Sequence, residues 1–148
     1  MKKLTKILCA ALAVMMTFAL SACSGGDSIP VIGINQYGEH PSLDNCREGF
    51  LQGLEEAGLV EGEDFTVDYQ NAGFDDTIAG DIASSFSANN VALMCGIATN
   101  SAVACYAAAE DKDIPVIFTA VSDPVQAKLD SGNITGTSDK LPVEAQLD

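Results

Sequence analysis

Apolar residues in this chain fall into short runs, separated by longer segments in which they recur every three or four positions. Four of the runs are rich in β-branched residues and predict strands that begin near residues 31, 65, 91 and 115. Runs of this kind are typical of strands buried on both faces of a parallel sheet. The periodic segments between them predict helices. Together they indicate a βαβ repeat with right-handed crossovers.

The run at residues 65–70 differs from the others because its apolar and polar residues alternate, which favours an edge strand with one wet face. A short fifth strand is predicted at residues 133–136, and a helical turn at residues 125–129. The fold class expected is α/β: a three-layer αβα lobe over residues 29–138 with a parallel sheet of order about 2-1-3-4-5. The predicted elements are strands at residues 30–35, 65–70, 91–97 and 114–121, and helices at residues 42–57, from 75 or 76 to 87, and after residue 99.

Three glycines stand out in and after the first predicted helix. Gly58 follows its last apolar position and predicts a left-handed stop. Gly49 and Gly53 lie inside the helix, where each costs about 1 kcal/mol relative to alanine. We interpret them as positions where the helix lies close against the sheet.

Residues 1–22 are predicted to be a signal peptide rather than part of the fold. Lysines precede an apolar stretch at residues 7–20, which is short for a bilayer about 30 Å thick. The small-residue segment that follows resembles a bacterial lipobox and predicts lipidation of Cys23, with residues 23–28 as a flexible tether. The expected location is extracytoplasmic, anchored to the bacterial cell membrane. An ordinary secretory signal is the alternative.

The formal net charge is −14, and three of the seven basic residues belong to the predicted signal peptide. The remaining chain is therefore still more acidic. Such a surface repels nucleic acid and anionic lipid headgroups, so no nucleic-acid partner is expected. The charge favours a soluble body held off the membrane by its anchor. The protein is expected to be a monomer.

The cysteine pattern argues against a metal site. Beyond Cys23, only Cys46, Cys95 and Cys105 remain, without a Cys-x-x-Cys pair or a nearby histidine set. No metal and no cofactor are expected. Cys95 is interpreted as a small core residue, and a bridge between Cys95 and Cys105 is the alternative.

Signatures of catalysis are missing from the sequence. It has no Gly-x-Ser-x-Gly elbow, no phosphate-binding loop with the Gly-x-x-x-x-Gly-Lys pattern and no dinucleotide turn. His40 with Ser122 and Asp123 could form a triad, which leaves a surface-anchored hydrolase as a lesser alternative. The protein is therefore expected not to be an enzyme.

Polar residues collect directly after three of the predicted strands. In open α/β sheets the ligand crevice lies outside the carboxyl ends of the strands, so these residues predict one binding rim. Thr99 or Asn100 is expected to cap the third helix, whose free N–H groups favour a carboxylate. Tyr37 adds an aromatic face beside the rim. The alternative is that all of them are helix caps and turn formers. The residues after the strands are Asn35, Gln36, Thr99, Asn100, Ser122 and Asp123.

Five segments, taken with the lipobox, carry a family resemblance. They are Ile32-Gly33-Ile34-Asn35-Gln36, His40-Pro41-Ser42-Leu43-Asp44, Gly49-Phe50-Leu51-Gln52-Gly53-Leu54, Thr99-Asn100-Ser101-Ala102 and Val121-Ser122-Asp123-Pro124-Val125. In this order they resemble the ABC-transporter substrate-binding lipoproteins of the tryptophan or aromatic amino-acid type. Residues 132–136 look like that family's crossing strand.

The resemblance implies a periplasmic-binding-protein-like fold of type I with two lobes that close on a small ligand. Such a protein hands its ligand to a membrane permease driven by an ATPase. The residues that match the family's ligand-facing loops are Gln36, Tyr37, Thr99, Asn100, Ser122 and Asp123. Residues 139–148 resemble the start of the crossover to a second lobe. We expect only the N-terminal lobe here, as a fragment or a truncated gene product.

The function expected on these grounds is that of a solute-binding lipoprotein of an ABC importer. The solute is expected to be small and amino-acid-like, for example an aromatic amino acid, with its carboxylate at the start of the third helix. The alternative from another functional class is an extracytoplasmic sensing module of similar fold that reports its ligand to a membrane receptor.

Overall fold

The structure is a computed structural model that describes residues 28–140. The predictions for the signal peptide, for Cys23 and for most of the tether lie outside the described residues. The predicted crossover segment lies outside them from residue 141 onward. No helix within the described range combines the length and the apolar character that crossing a membrane requires.

Five strands and three main helices make up the described chain. Every strand and helix predicted from the sequence is present, with boundaries shifted by no more than about two residues. A 3₁₀ turn, Glu110–Lys112, follows the third helix. In chain order the elements are β1 (Val31–Gln36), α1 (Pro41–Glu56), β2 (Thr66–Asn71), α2 (Asp76–Ala88), β3 (Leu93–Ile97), α3 (Thr99–Ala109), β4 (Val116–Val121) and β5 (Ile134–Ser138).

The strands form one parallel sheet of order β2-β1-β3-β4-β5, which confirms the predicted order. In the centre of the sheet Ile34 pairs with Tyr69 of β2 on one side and with Cys95 of β3 on the other. The alternating strand β2 lies at an edge, as its pattern predicted. All five carboxyl ends therefore meet at one border of the sheet.

Helices cover both faces of the sheet, but not equally. On one face α2 and α3 pack on a core that includes Phe86, Met94 and Cys105. Gly33 permits this packing, since a Cβ there would lie 2.6 Å from the Phe86 ring. On the other face α1 is the one helix within residues 28–140 that packs on the sheet, and none of its residues is fully buried.

The glycines of α1 correct one expectation. Gly58 ends the helix with a φ of 88°, as predicted. The prediction that Gly49 and Gly53 mark a close approach to the sheet is wrong. Among the described residues nothing lies within 4 Å of the position that a Cβ would take at either glycine. The close approach occurs at Gly96 in β3, where a Cβ would lie 2.5 Å from Cα of Ala102 in α3.

The connection from β4 to β5 contains hydrogen-bonded turns, and the i→i−4 bond among them makes the single helical turn that was predicted there. The N–H of Ala127 donates to the Asp123 carbonyl at 3.0 Å, and the N–H of Leu129 donates to the Pro124 carbonyl at 2.8 Å. The Leu129 side chain is buried in a small cluster with Phe118. That cluster holds the connection against the sheet.

The three cysteines within residues 28–140 are free thiols, so the alternative of a Cys95–Cys105 bridge is wrong. Cys95 is a core residue, as predicted. Burial raises the pKa of Cys95 and of Cys105 to about 12. Because the thiolate is the reactive form, both side chains are chemically inert at neutral pH.

Candidate functional site

A cleft of about 650 Å³ opens at the carboxyl border of the sheet. It lies between the amino-terminal ends of α1 and α3 and the ends of β4 and β5. Three of the six residues predicted to face ligand line it, namely Thr99, Asn100 and Ser122. Its other polar residues, which the sequence did not single out, include Ser42, Thr119 and Ser138.

The amino terminus of α3 faces this cleft without a side-chain cap. The capping position is occupied by Ala98, and no described side chain bonds to the first turn. The prediction that Thr99 or Asn100 caps the helix is therefore wrong, since these are its first two residues. The first N–H groups of a helix have no partner within the helix. They are consequently available to an anion in the cleft.

Two alanines that line the cleft have positive φ angles. Ala98 has φ 78° and ψ 159°, and Ala120 near the end of β4 has φ 56°. For residues with a Cβ such positive-φ conformations cost roughly 1–3 kcal/mol each. A hydrogen bond of 3.0 Å from the N–H of Ala98 to the Thr119 carbonyl helps to hold Ala98 in this conformation. Such strain is concentrated at functional sites in proteins.

A buried polar link fixes α3 to the sheet and to α2. The Ser101 hydroxyl donates to Oδ1 of Asn35 at 3.0 Å, and Nδ2 of Asn35 donates to the Ala79 carbonyl at 2.9 Å. Asn35 and Ser101 are fully buried. Because unpaired polar groups are costly in the interior, this link specifies one position for the start of α3.

Gln36 does not line the cleft. Its side chain is fully buried, and Nε2 donates to the Gly38 carbonyl at 2.8 Å and to Oδ1 of Asp44 at 2.9 Å. Its Oε1 accepts a hydrogen bond of 2.8 Å from Arg47, whose guanidinium also lies 4.7 Å from the centroid of the Tyr69 ring. Gln36 therefore ties β1 to α1.

Tyr37 and Asn100 share one acceptor, the exposed Asp76 at the start of α2. The Tyr37 hydroxyl donates to Oδ1 of Asp76 at 2.8 Å, and Nδ2 of Asn100 donates to the same oxygen at 2.6 Å. The hydrogen bond to the carboxylate raises the pKa of Tyr37. The hydrogen bonds from Asn100 and, to a lesser extent, Tyr37 lower the pKa of Asp76. Asp76 thus links the ends of β1 and β3.

Asp123, the last of the predicted site residues, stabilises the turn after β4. Its Oδ1 accepts a hydrogen bond of 2.9 Å from the N–H of Gln126. Its Oδ2 lies 3.9 Å from Nζ of the exposed Lys140. Asp123 is not among the residues that line the cleft, whereas its neighbour Ser122 is.

The comparison with known protein families is decisive for the class of protein. The family described as ABC transporter substrate binding protein matches residues 31–148. The chain belongs to this family. The members of this family are substrate-binding proteins rather than enzymes.

Three individual proteins are similar to most of this chain. A tyrosine-binding protein from Clostridioides difficile (strain R20291) is 44% identical over 123 residues. The ligand-free, open structure of a substrate-binding protein with adhesive properties from Clostridium difficile is 42% identical, with a TM-score of 0.75. A structure from Streptococcus pneumonia in complex with L-Trp is 35% identical, with a TM-score of 0.72.

Coverage of the relatives is partial. The matches take in 79–80% of this chain but 35% of the curated relative and 41–42% of the two structures. This ABC substrate-binding family member thus spans less than half the length of those proteins. Its parallel sheet with flanking helices is the fold of one lobe of a type I periplasmic binding protein.

The residues of the hydrolase alternative are not brought together in this family member. His40 lines a different cleft, of about 740 Å³, which lies between Arg47 of α1 and Tyr69 of β2. His40 is the capping residue of α1, and its Nδ1 accepts a hydrogen bond of 3.2 Å from the N–H of Ser42. Ser122 lines the cleft at α3 instead. No described contact activates Ser122 as a nucleophile.

Proposed function

We propose that this chain is the first lobe of a substrate-binding protein that binds a small amino-acid-like solute, with the ligand's carboxylate bound at the start of α3. The observation that carries the proposal is the uncapped first turn of α3, which opens into a cleft lined by Thr99, Asn100 and Ser122. The names of two relatives, one a tyrosine-binding protein and the other solved with L-Trp, support an aromatic amino acid.

Local dipoles explain how an acidic protein can bind a carboxylate. The partial positive charge at a helix amino terminus stabilises an anion by roughly 0.3–1 kcal/mol, and by up to about 2 kcal/mol in partly buried geometries. Backbone N–H groups add direct hydrogen bonds. The net charge of −14 opposes binding, but exposed charges beyond about 8 Å are screened by salt. Donors in contact with the ligand therefore outweigh distant carboxylates.

The lobe supplies one side of the site. Small-molecule pockets bury roughly 70–90% of their ligand, which a cleft open to solvent on one side does not achieve. We propose that a second lobe closes over the ligand in the whole protein. The 148-residue chain alone is expected to bind an aromatic amino acid weakly, with a Kd of about 0.1–10 mM.

Ligand analogues test the assignment of the carboxylate. L-Tyrosine is expected to bind the chain, whereas tyramine, which lacks the carboxylate, is expected to bind at least about tenfold more weakly, because it cannot use the α3 donors. Titration calorimetry or saturation-transfer NMR would measure both. Equal affinity for the two compounds would contradict the carboxylate site, and binding of neither would contradict the function.

We also propose that the chain is exported and anchored through Cys23, and that it serves an ABC permease. The segment Leu20-Ser21-Ala22-Cys23 and family membership support this. An alkyne fatty acid fed to expressing bacteria is expected to label the protein but not its Cys23→Ser variant. Equal labelling of the two proteins would argue against this anchor. Reading frames for a permease and an ATPase beside the gene would support the transport role.

A further inference from the structure

Asp76 is placed to orient Asn100, which lines the cleft, together with Tyr37, which is not among the lining residues. It is the first residue of α2, and one of its oxygens, Oδ1, accepts hydrogen bonds from Tyr37 after β1 and from Asn100 in α3. These donors lie 39 and 24 residues away along the chain. Hydrogen bonds to an ionised acceptor are stronger than neutral ones. A single carboxylate therefore sets the orientation of two side chains on different elements.

The Tyr37 ring is held from a second side as well. Phe74 packs against it edge to face, with ring centroids 5.7 Å apart and planes at 88°. The N–H of Phe74 donates to the Tyr37 carbonyl at 2.7 Å. Gly38 leaves room for this arrangement, since a Cβ there would lie 2.4 Å from the Phe74 ring. With its ring packed and its hydroxyl bonded to Asp76, Tyr37 has one defined rotamer.

Asn100 depends on Asp76 more directly. It is exposed and lies at the second position of α3, where its side chain lines the cleft beside the free N–H groups. An exposed side chain without a partner samples several rotamers and loses that freedom when a ligand binds. The bond from Asn100 to Asp76 removes this cost before the ligand arrives.

We propose that Asp76 is a positioning residue of the binding site, which holds Asn100 ready for the ligand, with Tyr37 as its second hydrogen-bond partner, and does not contact the ligand itself. This inference rests on the proposed function, because it assumes that ligand binds at α3. The charge of Asp76 alone would have the opposite effect. A carboxylate beside the start of α3 repels a ligand carboxylate, so its removal would strengthen binding if only charge mattered.

Three variants separate positioning from charge. Asp76→Ala removes the acceptor and is expected to lower the affinity for L-tyrosine about three- to tenfold, the range of one or two ordinary hydrogen bonds. Asp76→Asn keeps an acceptor oxygen and should recover most of the affinity. Asp81→Asn removes one charge from an exposed position of the same helix and should leave affinity unchanged. Circular dichroism would check the fold of each variant.

A double-mutant cycle tests whether Asp76 acts through its two partners. In a chain that already carries Tyr37→Phe and Asn100→Ala, the further change Asp76→Ala is expected to cause no additional loss of affinity. A full additional loss would show a direct contact with the ligand, and a gain in affinity for Asp76→Ala in the otherwise unchanged chain would show a charge effect. Either result overturns the positioning role.

Binding of L-tyrosine to the unmodified chain distinguishes a failure of the proposed function from a failure of the positioning role. If it shows no binding of L-tyrosine by NMR titration, the proposed function fails and the inference falls with it. If it binds and Asp76→Ala binds equally well, the positioning role alone is wrong. Loss of affinity in Asp76→Ala with recovery in Asp76→Asn would support both.

Discussion

Replacing Gly96 with alanine is expected to lower the free energy of unfolding by about 3 kcal/mol, at the upper end of what overpacking costs. The new Cβ would lie 2.5 Å from Cα and 2.8 Å from N of Ala102. Both are backbone atoms of α3, so no side-chain rotation can relieve the clash. The helix has to move away from β3, and its first turn moves with it. Urea denaturation would measure the loss.

Gly53→Ala is the matched control for this substitution. Gly53 lies in the exposed part of α1, where nothing in the described chain lies within 4 Å of the new methyl group. Alanine is the better helix former, so this variant should be more stable by about 0.5–1 kcal/mol. If Gly96→Ala were as stable as Gly53→Ala, the close packing of α3 on β3 would be wrong.

Replacing Thr99 with proline is expected to weaken the binding of L-tyrosine at least about tenfold relative to Thr99→Ala. Both variants lose the hydroxyl, but only proline also removes the N–H at the first position of α3. Proline is well tolerated at this position of a helix. It restricts the preceding residue to an extended ψ, and Ala98 already has ψ 159°. The comparison therefore isolates one backbone donor.

The fold of the Thr99→Pro variant is expected to remain intact, with a melting temperature close to that of Thr99→Ala. Calorimetric or NMR titrations of the two variants under the same conditions would give the ratio of affinities. Equal affinities, in two folded proteins, would mean that the first N–H of α3 does not bind the ligand.

The architecture was largely predictable because it follows from the distribution of apolar residues. Continuous apolar runs such as that of β4 have the length of buried strands, and the alternating run of β2 identified an edge. The rule that parallel strands present their carboxyl ends at one border then brought Thr99, Asn100 and Ser122 to one cleft. To apply this rule, only the order of strands and helices along the chain has to be known, and the sequence pattern provides that order.

Features that depend on side-chain orientation were not predictable in this way. Gln36 follows the same rule as Thr99, yet its amide is buried among partners from α1, which the sequence pattern does not reveal. Nothing in the sequence pairs Asp76 with Tyr37 or Asn100, because these residues lie 39 and 24 positions away along the chain. The positive φ angles of Ala98 and Ala120 could not be predicted from the sequence, since alanine does not favour positive φ.

The glycines show why the same residue type needs its surroundings to be interpreted. Gly49 and Gly53 were expected to mark close packing and do not, whereas Gly96 in β3 does. A helix with glycines four residues apart can either pack closely against a sheet at those glycines or expose them to solvent. Only the distance from each missing Cβ to its neighbours decides between them.

Amide chemical shifts would show whether an amino acid binds at the start of α3. The ¹⁵N-labelled chain would be titrated with L-tyrosine and L-tryptophan, up to the limit of solubility or about 10 mM. We predict saturable shifts concentrated at the amides of Thr99, Asn100 and Ser101, with smaller changes at Ser122. Shifts that cluster instead at the cleft around Arg47, or no saturable shifts with either amino acid, would contradict binding of an amino acid at the start of α3.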